Sequence, residues 1–256
     1  MLKLVWNVYF WLVFIPFTLA GLVILPFLLL ADMVVAGRSA ASALRRAIRL
    51  YGWVLTRVVP FMAPVEVTYE GTGLLPPVSI FVANHNSAID PYLFGAIPVE
   101  NGFVTTWPFK IPVYGFFMRL AGYVDASEGW EDVLQQCKKL LEAGSSVTIW
   151  PEGHRSRDQS LRRFRNGAFS LAAETGYPVV PVCIVGAGAV LPPGSRLMTP
   201  GRVKLVVLDP FYVEKGAERT ESVRKLRLRI RSKMEQVLRK NGHFVSGCGN
   251  GTDVAE

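Results

Sequence analysis

Between Leu4 and Ala31 the chain carries no charged side chain. That stretch exceeds the roughly 20 apolar residues needed to cross the hydrocarbon layer of a bilayer, so whatever follows it folds beside a membrane. A secretory signal peptide is the rival reading. The run is longer than such a peptide's apolar core, and Lys3 is the sole charged side chain ahead of it, which favours a retained membrane segment. Pro16 and Pro26 lie inside the run. Each removes a backbone donor and tends to kink or break a helix, so the segment either spans once or folds back as a shallow hairpin. Arg38, Arg45, Arg46, Arg49 and Arg57 follow. By the positive-inside rule this flank keeps the next domain on the cytoplasmic face.

From Ala40 to Val59 arginines alternate with Leu44, Ile48, Tyr51, Trp53, Val54 and Leu55. Two fates suit the pattern: a helix lying in the interface with its basic side chains toward headgroups, or an ordinary amphipathic helix packed on the domain. The net charge of +8 calls for an anionic partner. No nucleic-acid motif is present and no nucleic-acid partner is expected, so anionic membrane lipid is the better fit. Cys137, Cys183 and Cys248 are few, odd in number and not spaced as metal ligands, which implies neither a disulfide framework nor a metal site. They read as small apolar fillers or tail residues.

From Val65 the pattern changes. Short runs rich in branched residues, Val65–Tyr69, Val78–Ala83, Phe103–Thr106, Val147–Trp150, Val179–Val185 and Val203–Leu208, read as strands. A helix is expected over Glu128–Ala143, capped by Ser127 and stopped by Gly144. A second is expected over Thr220–Lys240, with Val223, Leu226, Ile230 and Met234 on one side and a basic face turned to solvent or membrane. Strands alternating with helices predict a three-layer α/β domain. The expected division is 1–59 as a membrane-anchoring helical segment, 60–241 as the α/β domain and 242–256 as a disordered tail.

Two polar clusters close predicted strands at their C-terminal ends, where open α/β sheets place ligands. The first is Asn84-His85-Asn86-Ser87-Ala88-Ile89-Asp90. A histidine with an unperturbed pKa near 6.5 is a candidate general base, and a carboxylate on its other ring nitrogen would fix the tautomer. On one continuous helix His85 and Asp90 would point to different sides, so the pair requires His85 in the turn before a helix. Pro91 fits a first helical position, which makes Asp90 the expected N-cap. The plainer alternative is a capping aspartate beside an ordinary loop histidine.

The second cluster is Pro151-Glu152-Gly153-His154-Arg155-Ser156-Arg157, followed by Phe164-Arg165-Asn166-Gly167. Arginine offers two parallel donors suited to phosphate, and glycine allows close backbone approach. Taken alone, these charges could also be a solvated surface turn.

Together, Asn84-His85 with Asp90, and Pro151-Glu152-Gly153 with Arg155-Ser156, resemble the glycerolipid acyltransferase family that includes 1-acylglycerol-3-phosphate acyltransferases, over about Val65 to Asp209. Lys110, Pro112 and Gly115 look like the family's second block, and Val180-Pro181-Val182 like its fourth. The resemblance implies a glycerol-3-phosphate acyltransferase-like fold in which His85 takes the acceptor hydroxyl proton and Asp90 orients it. Lys110, Glu152, Gly153, Arg155 and Arg165 would serve the acceptor's phosphate. It implies no covalent acyl-enzyme and no cofactor, with acyl-CoA or acyl carrier protein as donor and a lysophospholipid as acceptor. His154 stands where the family usually has threonine, a departure that leaves the chemistry intact; Asp125-Ala126 stands where an arginine often closes the second block, which points to a different acceptor headgroup. A lyso-aminolipid acceptor and a catalytically silent lipid-binding protein are the competing readings. A serine hydrolase lacks its Gly-x-Ser-x-Gly nucleophile.

Overall fold

The computed structural model describes residues 2–57, 64–214, 216 and 218–242. Val58, Val59 and all but the first residue of the expected tail lie outside the described residues. In chain order the elements are α1 (Leu2–Ala36), α2 (Ala40–Arg57), β1 (Val65–Tyr69), β2 (Ile80–Ala83), α3 (Asp90–Leu93), β3 (Asn101–Thr105), α4 (Pro112–Leu120) and β4 (Val124–Asp125). Then follow α5 (Trp130–Glu142), β5 (Ser146–Ile149), α6 (Gly167–Thr175), β6 (Val179–Val185), α7 (Ala187–Val190), β7 (Val203–Val207) and α8 (Arg219–Lys240). The strands form one sheet in the order β1-β7-β6-β2-β5-β3-β4. Among the strands of the described residues only β6 and β7 pair antiparallel, so β6, β2, β5, β3 and β4 run in one direction and deliver their C-terminal ends to a common edge.

Alternation along the strands divides the core in two. Phe81, Ala83, Phe103, Val182, Ile184 and Leu205 face α1 to α4, while Ile80, Val82, Val147, Cys183 and Val206 face α5, α6 and α8. The layers are therefore helices, sheet and helices, with Cys137 and Cys183 as buried free thiols inside the second core.

α1 continues through both prolines, which sets the hairpin alternative aside. A helix-interior proline costs about 3 kcal/mol, and here the cost is offset by packing along the domain. Near one end, the Asn7 amide exchanges two hydrogen bonds of 2.9 Å with the Met198 backbone. In the middle, Phe17 stacks on Tyr51 at 5.2 Å and the Thr18 and Tyr51 hydroxyls share a hydrogen bond of 2.7 Å. Toward the other end, Asp32 pairs with Arg38 at 2.7 Å and Arg46 at 3.3 Å.

Of the two fates open to the second segment, α2 takes the packed one. Leu44 and Leu55 are buried, and Gly52 and Gly95 let its backbone touch the chain following Asp90: a Cβ on Gly52 would lie 2.7 Å from the Tyr92 carbonyl, and one on Gly95 2.4 Å from the Trp53 nitrogen. Its arginines do not all face outward. Arg45 is 4 % exposed and gives hydrogen bonds to Glu100 (2.8 Å), the Ala121 carbonyl (2.6 Å) and Ser145 (3.0 Å).

Several strand bounds shift by one or two residues from the sequence expectation. The helix expected from Glu128 begins instead at Trp130, with Gly129 at its N-cap. Ser127 does not cap it, because its N–H (2.9 Å) and hydroxyl (2.7 Å) both turn back to the Asp125 carboxylate at the end of β4.

Removing one partner from a buried ion pair typically costs about 3–5 kcal/mol. Arg45→Leu should therefore lose about 3 kcal/mol in unfolding of the detergent-solubilised protein, with partial recovery in Arg45→Leu/Glu100→Gln. A loss below about 1 kcal/mol would show a solvent-screened pair of the surface kind.

Candidate active site

Strands β2 and β5 are parallel neighbours, and the two sequence clusters leave them side by side. Asn84 begins the first loop by continuing the sheet with its side chain: its amide donates to the Ile184 carbonyl (2.9 Å) and its oxygen accepts the Ile184 N–H (2.7 Å). The next residue, His85, is held by the second loop from both sides. Its N–H donates to Glu152 Oε1 (2.9 Å) and its carbonyl accepts the Ser156 N–H (2.7 Å).

The His85 side chain sits before α3, and its Nδ1 lies 2.7 Å from Asp90 Oδ2. Asp90 is fully buried, and the same oxygen accepts the N–H groups of Asn86 (2.9 Å) and Ser87 (3.0 Å). Asp90 is therefore not the N-cap. Ile89 holds that position without a side-chain bond, and the aspartate folds back to close the preceding turn because three donors converge there. A carboxylate accepting from Nδ1 leaves the lone pair of the neutral ring on Nε2, on a side chain that is 19 % exposed. Trp150 lies against the ring, with centroids 4.8 Å apart and planes 30° apart, and stacks in turn on Phe103 at 5.6 Å.

Glu152 does not present its charge to a ligand. It is buried, and its two oxygens accept the N–H groups of His85 (2.9 Å) and Arg162 (3.0 Å). An anion beside a phosphate would also repel it, so this carboxylate shapes the loops rather than offering a phosphate contact. Burial pushes it up to about 7, against the pull of those two backbone donors. Gly153 has φ +76°, and a Cβ there would meet Arg165 Nε at 2.9 Å, so the glycine lets that guanidinium lie across the turn.

Arg155 and Arg165 are exposed on this second loop, and the Arg165 N–H donates to the Pro151 carbonyl at 2.8 Å. Lys110 ends a short 3₁₀ turn, Trp107–Lys110, after β3, the strand beside β5, so it shares the edge without touching His85 through any bond. Among the described residues none of these three cations is paired with a carboxylate, a state suited to an anionic ligand.

Two contributions were invisible to sequence reading. Trp150 counts as the end of a strand there, though its position directly ahead of Pro151 is a usable signal. The α8 arginines read as a solvated face, yet Arg227 donates to the Phe164 carbonyl (3.0 Å) and Arg231 to those of Leu161 (2.8 Å) and Arg162 (3.2 Å), supporting the second loop from behind. α8 packs on the sheet face opposite α1.

Fold and site together define a three-layer α/β protein with a histidine–carboxylate pair and unpaired cations at the edge of a parallel sheet, carried on a long apolar helix. Residues 66–185 match the family model described as Acyltransferase. The chain is 34 % identical over 173 residues to the chloroplastic 1-acyl-sn-glycerol-3-phosphate acyltransferase BAT2 of Brassica napus, covering 64 % of this chain and 49 % of that one. It is 28 % identical over 206 residues to the lyso-ornithine lipid O-acyltransferase of Pseudomonas aeruginosa, covering 72 % and 77 %. The crystal structure of the 1-acyl-sn-glycerophosphate acyltransferase PlsC from Thermotoga maritima shares the fold, with a TM-score of 0.69 and 23 % identity over 92 % of this chain and 97 % of that one. The chain spans about half the length of the plant and algal relatives it matches.

Glu152 supplies a pH test. The folded chain keeps its proton to about pH 7, whereas an ordinary glutamate releases it near 4.5. The folded state binds more protons in that window, so stability falls as pH rises through it, by up to about 3 kcal/mol. The stability of wild type relative to Glu152→Gln should decline from pH 4.5 to 7, read by thermal unfolding in detergent. A difference independent of pH would mean that the carboxylate is ionised throughout.

Proposed function

We propose that this protein transfers a fatty acyl group from a thioester, carried by coenzyme A or acyl carrier protein, to the free hydroxyl of a lysophospholipid, with 1-acylglycerol-3-phosphate as the foremost acceptor. The observation that carries the reading is the His85–Asp90 pair, oriented by a fully buried carboxylate and fixed by backbone bonds from the second loop. Binding a lipid needs no base held in one tautomer. Proton transfer from a hydroxyl does.

In the proposed reaction Nε2 of His85 accepts the hydroxyl proton as the oxygen attacks the thioester carbonyl, and Asp90 stabilises the imidazolium that forms. The tetrahedral intermediate then collapses, its C–S bond breaks, and the imidazolium returns the proton to the leaving thiolate. The products are the ester and a free thiol, with no acyl-enzyme on the way. Arg155, Arg165 and Lys110 hold the acceptor's phosphate, while Glu152 and Gly153 set the loop that carries the arginines. α1, long and apolar enough to cross a membrane, keeps the enzyme where its substrate resides. Each methylene buried in lipid is worth about 0.8 kcal/mol, so a long-chain lysolipid does not readily leave the bilayer. The cytoplasmic face is the proposed side, from the arginines that follow α1.

A second reading, a lyso-aminolipid acceptor, is favoured by one observation: the lyso-ornithine lipid relative is covered over more of both chains than the plant relative. Membranes containing the protein, offered both acceptors with each donor, decide between them by the lipid product. His85→Ala should lower turnover by about 10²–10⁴-fold with unchanged thermal unfolding, and near-normal turnover in the folded variant would remove the proposal.

Arg155→Lys keeps the charge and loses the two-pronged geometry. The expected result is a raised KM for the phosphate-bearing acceptor with the donor KM unchanged. An effect confined to the donor would move Arg155 to the thioester's site.

A further inference from the structure

Apart from Lys110 and Arg119, α4 and the turn before it are largely apolar where they face solvent. Trp107 is 65 % exposed, Val113 60 %, Phe116 58 %, Leu120 51 % and Tyr114 40 %, all within one short segment. The opposite side of α4 is apolar too: Gly115 is buried, and Phe117 and Met118 pack against the core. A helix whose exposed and inward sides are both apolar, with Arg119 at its last turn, suits a lipid setting rather than a water-facing surface, and soluble monomers seldom expose a contiguous patch of this kind without a use for it.

We infer that the segment Trp107–Leu120 is a second lipid-contacting element, inserted in the plane of the bilayer surface beside the site. Its nine-residue helix is about 14 Å long, too short to span. Its composition is that of an interface: Trp107 and Tyr114 are amphipathic aromatics, Lys110 is a free cation, and the Arg119 guanidinium lies over the Phe109 ring at 5.7 Å. Its location is the same sheet face as α1, whose Phe14, Phe17, Leu25 and Leu29 pack on the same core as Phe117 and Met118. Contacts run continuously between the two. The Tyr114 hydroxyl bonds that of Tyr92, the Tyr92 and Tyr51 rings lie 6.3 Å apart, and Tyr51 bonds Thr18 of α1 at 2.7 Å. Tyr92 is two residues past Asp90, so lipid contact at α4 seats the histidine's edge at the headgroup level. This holds whichever acceptor is acylated, and its test uses no activity measurement.

The full chain carrying Cys248→Ser retains Cys137 and Cys183, both buried. In that background, Phe116→Cys and Val113→Cys are each labelled with an environment-sensitive fluorophore and reconstituted in phosphatidylcholine/phosphatidylglycerol vesicles. Leu12→Cys on α1 is the lipid reference, and Gln135→Cys, exposed on α5 across the sheet, is the water reference. Phospholipids with a nitroxide on the acyl chain should quench the Phe116 and Val113 probes at least twofold while sparing Gln135. Quenching of these probes by aqueous iodide alone, as at Gln135, would overturn the inference. So would shielding from both quenchers together with energy transfer between differently labelled copies, because a second copy would then cover the face.

Discussion

One buried carboxylate joins the two halves of the site. Glu152 accepts N–H groups from His85 and Arg162, so the loop leaving β2 and both ends of the loop leaving β5 meet on a single side chain. The cost of burying it shows in its raised affinity for a proton, and charge-assisted bonds to backbone donors offset that cost. The histidine's backbone is thereby fixed before its ring is considered. Asp90 then fixes the ring, and Trp150 its plane.

The two helical layers divide the labour. The layer of α1 to α4 is apolar inside and largely apolar outside, and it contains the helix that starts with Asp90. The layer of α5, α6 and α8 is apolar only within. From that side Arg227 and Arg231 hold the carbonyls of Leu161, Arg162 and Phe164, which keeps Arg165 at the mouth of the site. α8 thus directly supports the loop that carries Arg155 and Arg165.

Much of this was legible in the residues. Short runs rich in branched residues located β1, β2, β5, β6 and β7, because a strand covered on both faces is apolar nearly throughout. The clusters at Asn84 and Pro151 stood out as polar interruptions of that pattern, and the turn before Pro91 placed His85 beside Asp90. What stayed hidden depends on contacts distant in sequence. Arg45 reads as a membrane-flanking charge until Glu100 and Ser145 surround it, and Glu152 reads as a ligand group until two backbone donors enclose it. Ser127 was misjudged locally, since Asp125 competes for the same N–H and hydroxyl. β4 and α4 escaped because two residues make no periodicity, and a helix apolar on both sides has none to show.

The attachment of α1 has a mechanical consequence. Asn7 grips the Met198 backbone and Asp32 grips Arg46, and these anchor points are about 37 Å apart along the helix axis. A helix fastened near both ends has no hinge against the sheet. Helix and domain are thus joined at two distant points rather than by a single tether, so a change in bilayer depth or curvature acts on both attachments together.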